Sequence, residues 1–176
     1  LAHARHLAPR QRTQQGKQYG VQCRIPVRDA DYWDPPVVDP QGPPGSMPGE
    51  QVVFDANKES GGPDFFRLGG LDLRKDGRWM LYGVDVAGDE RYDFRIRDLA
   101  GLETGEPVSE LPEQFTGIGS ACFTPDGQWV FWVELDDSWR PLAVWRQRGG
   151  TAVESDVCVY RETDERFWVG VGISFD

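Results

Sequence analysis

A pattern that recurs after 50 residues constrains this chain more than any other feature of its sequence. Asp76-Gly77 returns as Asp126-Gly127, and the apolar or aromatic residues around it keep the same spacing, pairing Leu73 with Phe123, Trp79 with Trp129, and Tyr82 with Trp132. A third copy begins at Phe167–Ile173, where Ile173 continues the series of Leu73 and Phe123. Self-similarity at such a period is typical of folds in which one supersecondary unit stacks on the next.

Each copy predicts four short strands separated by turns. The first copy predicts strands at Leu68–Leu73, Trp79–Val84, Tyr92–Asp98 and Pro107–Leu111, and the second at Ile118–Phe123, Trp129–Leu135, Leu142–Arg148 and Asp156–Tyr160. The second strand of each copy is apolar on both faces, whereas sandwich strands usually present one polar face. A blade of a β-propeller is a four-stranded sheet covered by a neighbour on each side. We therefore predict an all-β fold, a partial β-propeller of about two four-stranded antiparallel blades plus flanking strands, in preference to a sandwich with accidental similarity.

The repeat also predicts how the chain is divided. Residues 67–116 and 117–166 would be blades, and residues 167–176 the first strand of the next blade. Residues 1–26 would hold incomplete blade strands, with a hairpin turn at Gln14–Lys17 and a strand closed by Pro26. Residues 27–49 are rich in Pro and Gly and predict a surface loop, because Pro donates no amide hydrogen to a ladder. Residues 50–66 would form a strand and a connector, with one helical turn or a loop at residues 55–64.

Two blades cannot close a propeller, which needs at least four. We therefore expect the chain to be an excerpt of a longer protein, and its lack of an initiating Met points the same way. Blade faces left open would expose apolar area, which favours self-association.

The charge balance and the cysteines exclude several classes of protein. The net charge of -10 argues against binding to nucleic acid, whose phosphates require clusters of Lys and Arg, and against an anionic membrane surface. No apolar run is long enough for a membrane span, and no secretory signal is visible. Cys23, Cys122 and Cys158 lie far apart in apolar, strand-like runs, which predicts buried, reduced thiols and a cytoplasmic location.

The sequence offers no complete catalytic, cofactor-binding or metal-binding site. Ser120 follows Thr116-Gly117-Ile118-Gly119, whose spacing differs from a Gly-x-Ser-x-Gly elbow, and the two histidines, His3 and His6, are too few to hold a metal. The acidic pairs Asp89-Glu90, Asp136-Asp137 and Asp164-Glu165 fit solvated turns, and the pairs Gly69-Gly70 and Gly149-Gly150 precede no phosphate-binding helix. We therefore predict no catalytic, cofactor-binding or metal-binding residues and no cofactor.

Several linked segments resemble the N-terminal propeller portion of the prolyl oligopeptidase family of serine peptidases (peptidase family S9), most closely its oligopeptidase B branch. The matching segments are Arg12–Tyr19, Tyr82–Tyr92, Ile96–Leu99, Thr104–Glu106, Trp139–Leu142, Val144–Arg146 and Asp164–Gly172. They recur in order over most of residues 10–176. Residues 1–10 lack the aromatic strand usual there, residues 27–49 look longer and richer in proline, and the α/β-hydrolase domain with its Ser, Asp and His is absent. No catalytic residue of the family can therefore be carried onto this chain.

The resemblance implies a role in a parent protein. In this family a seven-bladed propeller caps the active site of a C-terminal α/β-hydrolase domain, admits short peptides and excludes folded proteins, and the oligopeptidase B branch cleaves after Lys or Arg. The expected function is thus a non-catalytic propeller fragment of a serine oligopeptidase. Its partners would be that hydrolase domain and short basic peptides as substrates of the parent. The alternatives are a propeller that acts as a protein-interaction module and a truncated gene remnant without activity.

Overall fold

The computed structural model describes residues 6–27, 37, 39, 41–61, 64–151 and 155–174. They belong to two compact units, Leu1–Pro63 and Asp64–Asp176, which are taken separately below. Both units are built almost entirely of antiparallel strands, and no helix in the described ranges is long and apolar enough to cross a membrane.

The first unit is a three-stranded sheet in the order β1-β2-β3. Its elements are β1 (His6–Arg12), β2 (Val21–Val27), β3 (Gln51–Asp55) and the single turn α1 (Ala56–Glu59). The predicted hairpin turn is present: the Lys17 amide donates to the Gln14 carbonyl at 3.1 Å, and Gly16 takes a φ of +79° that favours glycine. Most of the proline-rich stretch between β2 and β3 lies outside the described residues.

The expectation that Pro26 closes the second strand is wrong, because β2 continues to Val27. Pro26 pairs with Leu7 of β1, whereas β3 pairs with β2 only as far as Arg24. Pro26 therefore lies beyond the part of β2 that has a neighbour on both sides. An amide hydrogen is dispensable there, so proline is tolerated.

The second unit is one antiparallel sheet in the order β10-β9-β8-β7-β6-β5-β4. Its elements are β4 (Arg67–Leu73), β5 (Trp79–Asp85), β6 (Tyr92–Asp98), α2 (Gly101–Thr104), β7 (Ser109–Phe123), β8 (Trp129–Leu135), β9 (Pro141–Arg148) and β10 (Val157–Arg161).

Strand β7 belongs to both predicted blades. Its first part pairs with β6, as in Gln114 opposite Arg95, and its second part pairs with β8, as in Phe123 opposite Val130. The first blade is thus β4, β5, β6 and the start of β7, and the second is the end of β7, β8, β9 and β10. Pairing with β6 continues up to Phe115 and Ile118, which leaves no loop between the blades. The two strands predicted there are therefore one continuous strand of 15 residues.

The repeated Asp-Gly turns have the same geometry in both blades. The Arg74 and Thr124 amides each donate 2.9 Å bonds to the carbonyls of Trp79 and Trp129, respectively. The carboxylates of Asp76 and Asp126 accept the amides two residues later at 2.9 and 3.0 Å. Gly77 and Gly127 have φ values of +71° and +66°, which explains why glycine recurs there.

The core of the second unit lies between the two blades. Its buried residues are Leu81, Phe94, Ile96, Phe115, Ile118, Phe123 and Val130, with Trp79, Tyr92 and Trp132 packed against them. The glycine pair at 69–70 makes room for this aromatic packing: a Cβ on Gly69 would collide with the Tyr92 ring, and one on Gly70 would lie 3.1 Å from Phe94. The pair thus serves packing in the β4 strand.

The strand predicted across Phe167–Ile173 is not formed. Residues 162–174 carry no strand assignment. Their backbone is held to β9 and to its own turn by bonds from the Val169 amide to the Pro141 carbonyl (3.1 Å) and from the Phe167 amide to the Asp164 carbonyl (3.0 Å). A strand requires a ladder partner. No such partner lies beside this segment within the described residues.

Candidate functional site

The surface with the clearest functional meaning is formed by the first strand of each blade, β4 and the end of β7. In a propeller the first strands line the central channel. The two strands are joined by a side chain, since the Asp72 carboxylate of β4 accepts the Phe123 amide of β7 at 2.9 Å. Burial raises the pKa of Asp72, while the hydrogen bonds from the amides of Phe123 and Leu73 act in the opposite direction. A half-buried carboxylate therefore bridges the first strands of the two blades.

The same position in the second blade carries Cys122 instead. Cys122 lines a cleft of about 420 Å³ together with Phe123, Phe131 and the extended residues 170–174. Burial, and next the charge of Asp72, raises the pKa of the Cys122 thiol. A neutral thiol cannot replace the carboxylate as a strong hydrogen-bond acceptor, so the two blade boundaries differ at this position.

The turns between the second and third strands of each blade form a second group of inter-blade contacts. The turn after β5 folds around Asp85, a buried carboxylate that accepts the amides of Ala87, Gly88 and Glu90 at 2.9, 2.7 and 2.9 Å. Burial acts to raise the pKa of Asp85, but these hydrogen bonds outweigh burial and the pKa is lowered. The carboxylate therefore stays ionised and organises the turn.

This turn reaches the corresponding turn of the second blade. Arg91 donates from Nη2 to the carbonyls of Asp136 and Asp137 at 3.2 and 3.4 Å, and its guanidinium lies 4.8 Å from the centre of the Trp139 ring. In return, the Trp139 indole donates from Nε1 to the Asp89 carbonyl at 2.6 Å. The two turns are thus connected by reciprocal side-chain contacts.

Each blade also fixes its last strand by a bond from an aromatic residue of its second strand. The Tyr82 hydroxyl donates to Glu110 at 3.0 Å, and Arg97 contacts both groups. In the second blade the Trp132 indole donates to Asp156 at 3.1 Å. Sequence reasoning noted Tyr82 and Trp132 as repeat positions but missed their acidic partners, whose spacing differs between the copies.

Of the candidate residues weighed in the sequence, the structure describes the surroundings of Ser120. Ser120 is half-buried in the β7 ladder opposite Val133. His3 and the His6 side chain lie outside the described residues. No group of three or more potential metal ligands occurs in the parts of the chain that the structure describes.

The acidic pairs serve their own turns. Asp136 accepts the amides of Ser138 and Arg140, with the Arg140 amide first among the causes that lower its pKa. Asp164 is paired with Arg166 at 2.6 Å, and Glu90 with Arg67 at 3.2 Å. The glycine pair at 149–150 again serves packing, because a Cβ on Gly149 would lie 2.7 Å from the Trp79 ring.

The three cysteines are free, but they do not share one environment. Cys23 is buried in β2, where burial raises its pKa to about 11, and Cys122 is partly buried. The prediction of burial is wrong for Cys158, which is exposed. It lies on β10, whose residues are all exposed because this strand forms the edge of the sheet.

Repeated four-stranded antiparallel units joined through a shared strand define this chain as part of a β-propeller. The family profile described as "Prolyl oligopeptidase, N-terminal beta-propeller domain" matches residues 9–176. The chain therefore belongs to the prolyl oligopeptidase family, as the N-terminal propeller portion.

Named relatives agree with this assignment. The chain is 30% identical over 163 residues to dipeptidyl aminopeptidase BI of Pseudoxanthomonas mexicana, covering 92% of this chain and 21% of the relative. It is 30% identical over 118 residues to protease 2 of Moraxella lacunata, covering 67% of this chain and 17% of that relative. Among solved structures, oligopeptidase B from Trypanosoma brucei, with covalently bound antipain in a closed form, matches with a TM-score of 0.72 and 26% identity, over 98% of this chain and 22% of that one. The chain spans about a fifth of the length of these relatives.

Proposed function

We propose that this chain is the part of a serine oligopeptidase that controls which peptides reach the active site, while a C-terminal hydrolase domain performs the cleavage. The observation that carries the proposal is the family match over residues 9–176. The sequence itself contains only two histidines, and the structure gives Ser120 a place in a ladder and no catalytic partner within its described ranges. A propeller whose first strands line a narrow channel can exclude large substrates sterically.

A finer part of the proposal concerns basic substrates, with cleavage after Lys or Arg. Residues 64–176 carry 22 Asp and Glu against 12 Lys and Arg, whereas residues 1–63 carry seven of each. The excess negative charge thus belongs entirely to the two-blade unit. A field of one sign raises the encounter rate with ligands of the opposite sign.

Three experiments test this function. The purified 176-residue chain should not cleave an Arg-containing fluorogenic peptide, and measurable cleavage would contradict the proposal. In a longer protein that includes the hydrolase domain, a short Arg peptide should be cleaved and the same sequence within a folded protein should not. Raising the salt concentration should lower kcat/KM for the Arg peptide more than for a neutral one, because exposed charges are screened over about 8 Å at physiological ionic strength. Equal cleavage of folded and short substrates would refute the access role.

We also propose that the 176-residue chain self-associates through β10. This edge strand exposes Val157, Val159 and Tyr160 by 47, 44 and 52%. An exposed apolar edge is a template for pairing with another chain. The mass measured by light scattering should exceed 19.8 kDa and return towards it in Val159→Lys. A monomer at every concentration would refute this.

A cytoplasmic location is proposed as well, supported by the three free cysteines. A disulfide found in the native protein by mass spectrometry would contradict it.

A further inference from the structure

Arg140 makes a contact of the same chemical kind as Arg91, but its acceptors directly follow the last strand of its own blade. Arg140, 49 positions after Arg91, donates from Nη1 to the carbonyls of Asp164 and Phe167, each at 3.4 Å. Arg91 therefore joins the turns of the two blades, whereas Arg140 holds the segment that follows β10. A planar guanidinium can donate to two carbonyls at once, which a lysine ammonium does less specifically.

The residue before each arginine has an unusual backbone conformation. Glu90 and Trp139 are the non-glycine residues with positive φ in the described part of the chain, at +62° and +61°. A bulky residue in this region is strained by about 1–3 kcal/mol and persists when its surroundings require it. The strained residue and the following arginine therefore recur as a unit.

A second feature at the same end of the strands is Gly117, which lies near these turns. It lies in the part of β7 that pairs with β6, at an irregularity of the register one residue before Ile118, which also pairs with β8, and its φ is +65°. Its amide donates to Asp93 at 3.2 Å, two residues from Arg91 in sequence. A glycine with positive φ within the strand that joins two blades is a point where their relative angle can change.

The opposite end of the strands is joined by the Asp72–Phe123 hydrogen bond and by packing. The aliphatic part of Arg74 lies against Gly127, and the Trp79 ring lies against Gly149. Such contacts allow small sliding movements more readily than directional hydrogen bonds do. The end of the strands that carries Gly117 is thus also the end where hydrogen bonds connect the turns of the two blades.

We propose that the Arg91 contact is an inter-blade device that fixes the angle between the two blades, with Gly117 as the hinge that this contact restrains. When Arg91 is in place, the first strands of the two blades are held in register and Asp72 meets the Phe123 amide. When the contact is lost, the blades rotate about Gly117 and the Asp72–Phe123 bond opens. The consequence for access to the active site rests on the proposed function.

The test uses hydrogen exchange on the 176-residue chain and a matched pair of substitutions. Arg91→Lys keeps the positive charge but removes the planar guanidinium, and Arg78→Lys makes the same chemical change at an ion pair with Asp98 inside the first blade. The reporter is the Phe123 amide, whose acceptor lies in the other blade and which is distant in sequence from both substitutions. The amides of Leu81 and Ile96, which are paired residues of the β5–β6 ladder inside the first blade, report on general loss of stability.

We expect Arg91→Lys to speed exchange at Phe123 roughly ten- to a hundredfold, as for the loss of one hydrogen bond to a charged group, with Leu81 and Ile96 unchanged. Arg78→Lys should leave all three amides unchanged. Equal acceleration of all three amides by Arg91→Lys would show an ordinary loss of stability and overturn the proposal, as would no change at Phe123. Gly117→Ala gives a second check, because alanine is strained at a φ of +65°. This variant alone should speed exchange at Phe123 and leave Leu81 and Ile96 unchanged, and no change at Phe123 would overturn the role of Gly117.

The proposed function is tested by a different measurement from the inter-blade contact. In the longer protein, the largest peptide that is cleaved reports on access, whereas exchange at Phe123 reports on the inter-blade device. If Arg91→Lys speeds exchange at Phe123 but the longer protein cleaves substrates of any size, the inter-blade proposal is supported and the access role is refuted.

Discussion

The carboxylate of Asp72 accepts the amide of Phe123 at 2.9 Å and so joins the first strands of two successive blades. The bond closes a boundary that the backbone ladders leave open, because β4 and β7 lie at different positions in the sheet order. The counterpart of Asp72 one repeat later is Cys122, so this kind of bond is specific to the first boundary.

We predict that Asp72→Asn changes stability in a way that depends on pH. The folded-state pKa of Asp72 is raised, chiefly by burial, so its contribution to stability is most favourable below the unfolded pKa and is lost as the pH rises through the folded value. The asparagine oxygen still accepts the Phe123 amide and carries no charge. In urea unfolding, the free energy of unfolding of the variant should therefore increase relative to that of the natural chain as the pH rises from 3 to 7. A gain that grows towards acid pH would contradict this.

Asp85→Asn should show the opposite dependence on pH. The folded-state pKa of Asp85 is lowered, since its hydrogen bonds outweigh burial, so its contribution is present above the unfolded pKa of about 3.9 and is lost as the pH falls through the folded value. At pH 7 we expect a loss of about 1–3 kcal/mol, because an amide group cannot accept all three turn amides. The difference between variant and natural chain should shrink in acid. If it stayed constant down to pH 3, ionisation of Asp85 would not be the cause.

The architecture was predictable because one physical requirement governs many positions at once. A sheet covered on both faces needs strands without a polar face, and this is visible in Trp79–Val84 and Trp129–Val133. The Asp-Gly turns fixed the period of the repeat, because glycine is required at φ values near +70°. The single strand β7 was not predictable, since nothing in residues 109–123 shows that pairing with β6 continues without a loop.

The inter-blade contacts were harder to foresee. Arg91 and Arg140 carry a signal in their spacing of 49, yet arginines at turns are usually solvated, and only the structure shows the carbonyls that they reach. Asp72 is replaced by Cys122 in the second copy and so carries no repeat signal. The exposure of Cys158 depends on β10 being an edge strand, which the alternation of residues alone does not determine.

Two substitutions at Glu90 test the strain of its positive φ. Glu90→Gly relaxes the backbone but gives the unfolded chain more freedom, so we expect stability to be unchanged or to increase by up to about 1 kcal/mol. Glu90→Val loses the same exposed ion pair with Arg67 and places a β-branched residue at φ +62°, which should cost about 1–3 kcal/mol. Thermal unfolding compares the two variants. If valine were tolerated as well as glycine, the turn would not impose this conformation.

Gly83→Ala tests the packing of the first blade. A Cβ at Gly83 would collide with the Phe94 ring, which is buried in the core between the blades. Overpacking of this kind typically costs about 1–3 kcal/mol. Gly170→Ala is the control, because no atom lies within 4 Å of its added Cβ. Equal midpoints of chemical unfolding for the two variants would show that the ring moves aside freely.

The last prediction concerns the buried ion pair of the first unit, between Arg12 and Glu50 at 2.7 Å. Both side chains are almost fully buried, and Glu50 also accepts the amides of Gly45 and Met47 at 2.8 and 3.4 Å, so the pair connects β1 to the segment before β3. Arg12→Met leaves a buried carboxylate without its cation, and we expect a loss of about 3–5 kcal/mol in the free energy of unfolding.

The double variant Arg12→Met/Glu50→Gln removes both charges and should recover part of this loss, because the neutral amide no longer needs a buried cation. Its oxygen can still accept the Gly45 amide. Circular dichroism during urea unfolding measures all three chains. A double variant less stable than Arg12→Met would mean that the contacts of Glu50 with the loop outweigh its pairing with Arg12. The unpaired charge of Glu50 would then not be the cause of the loss in Arg12→Met.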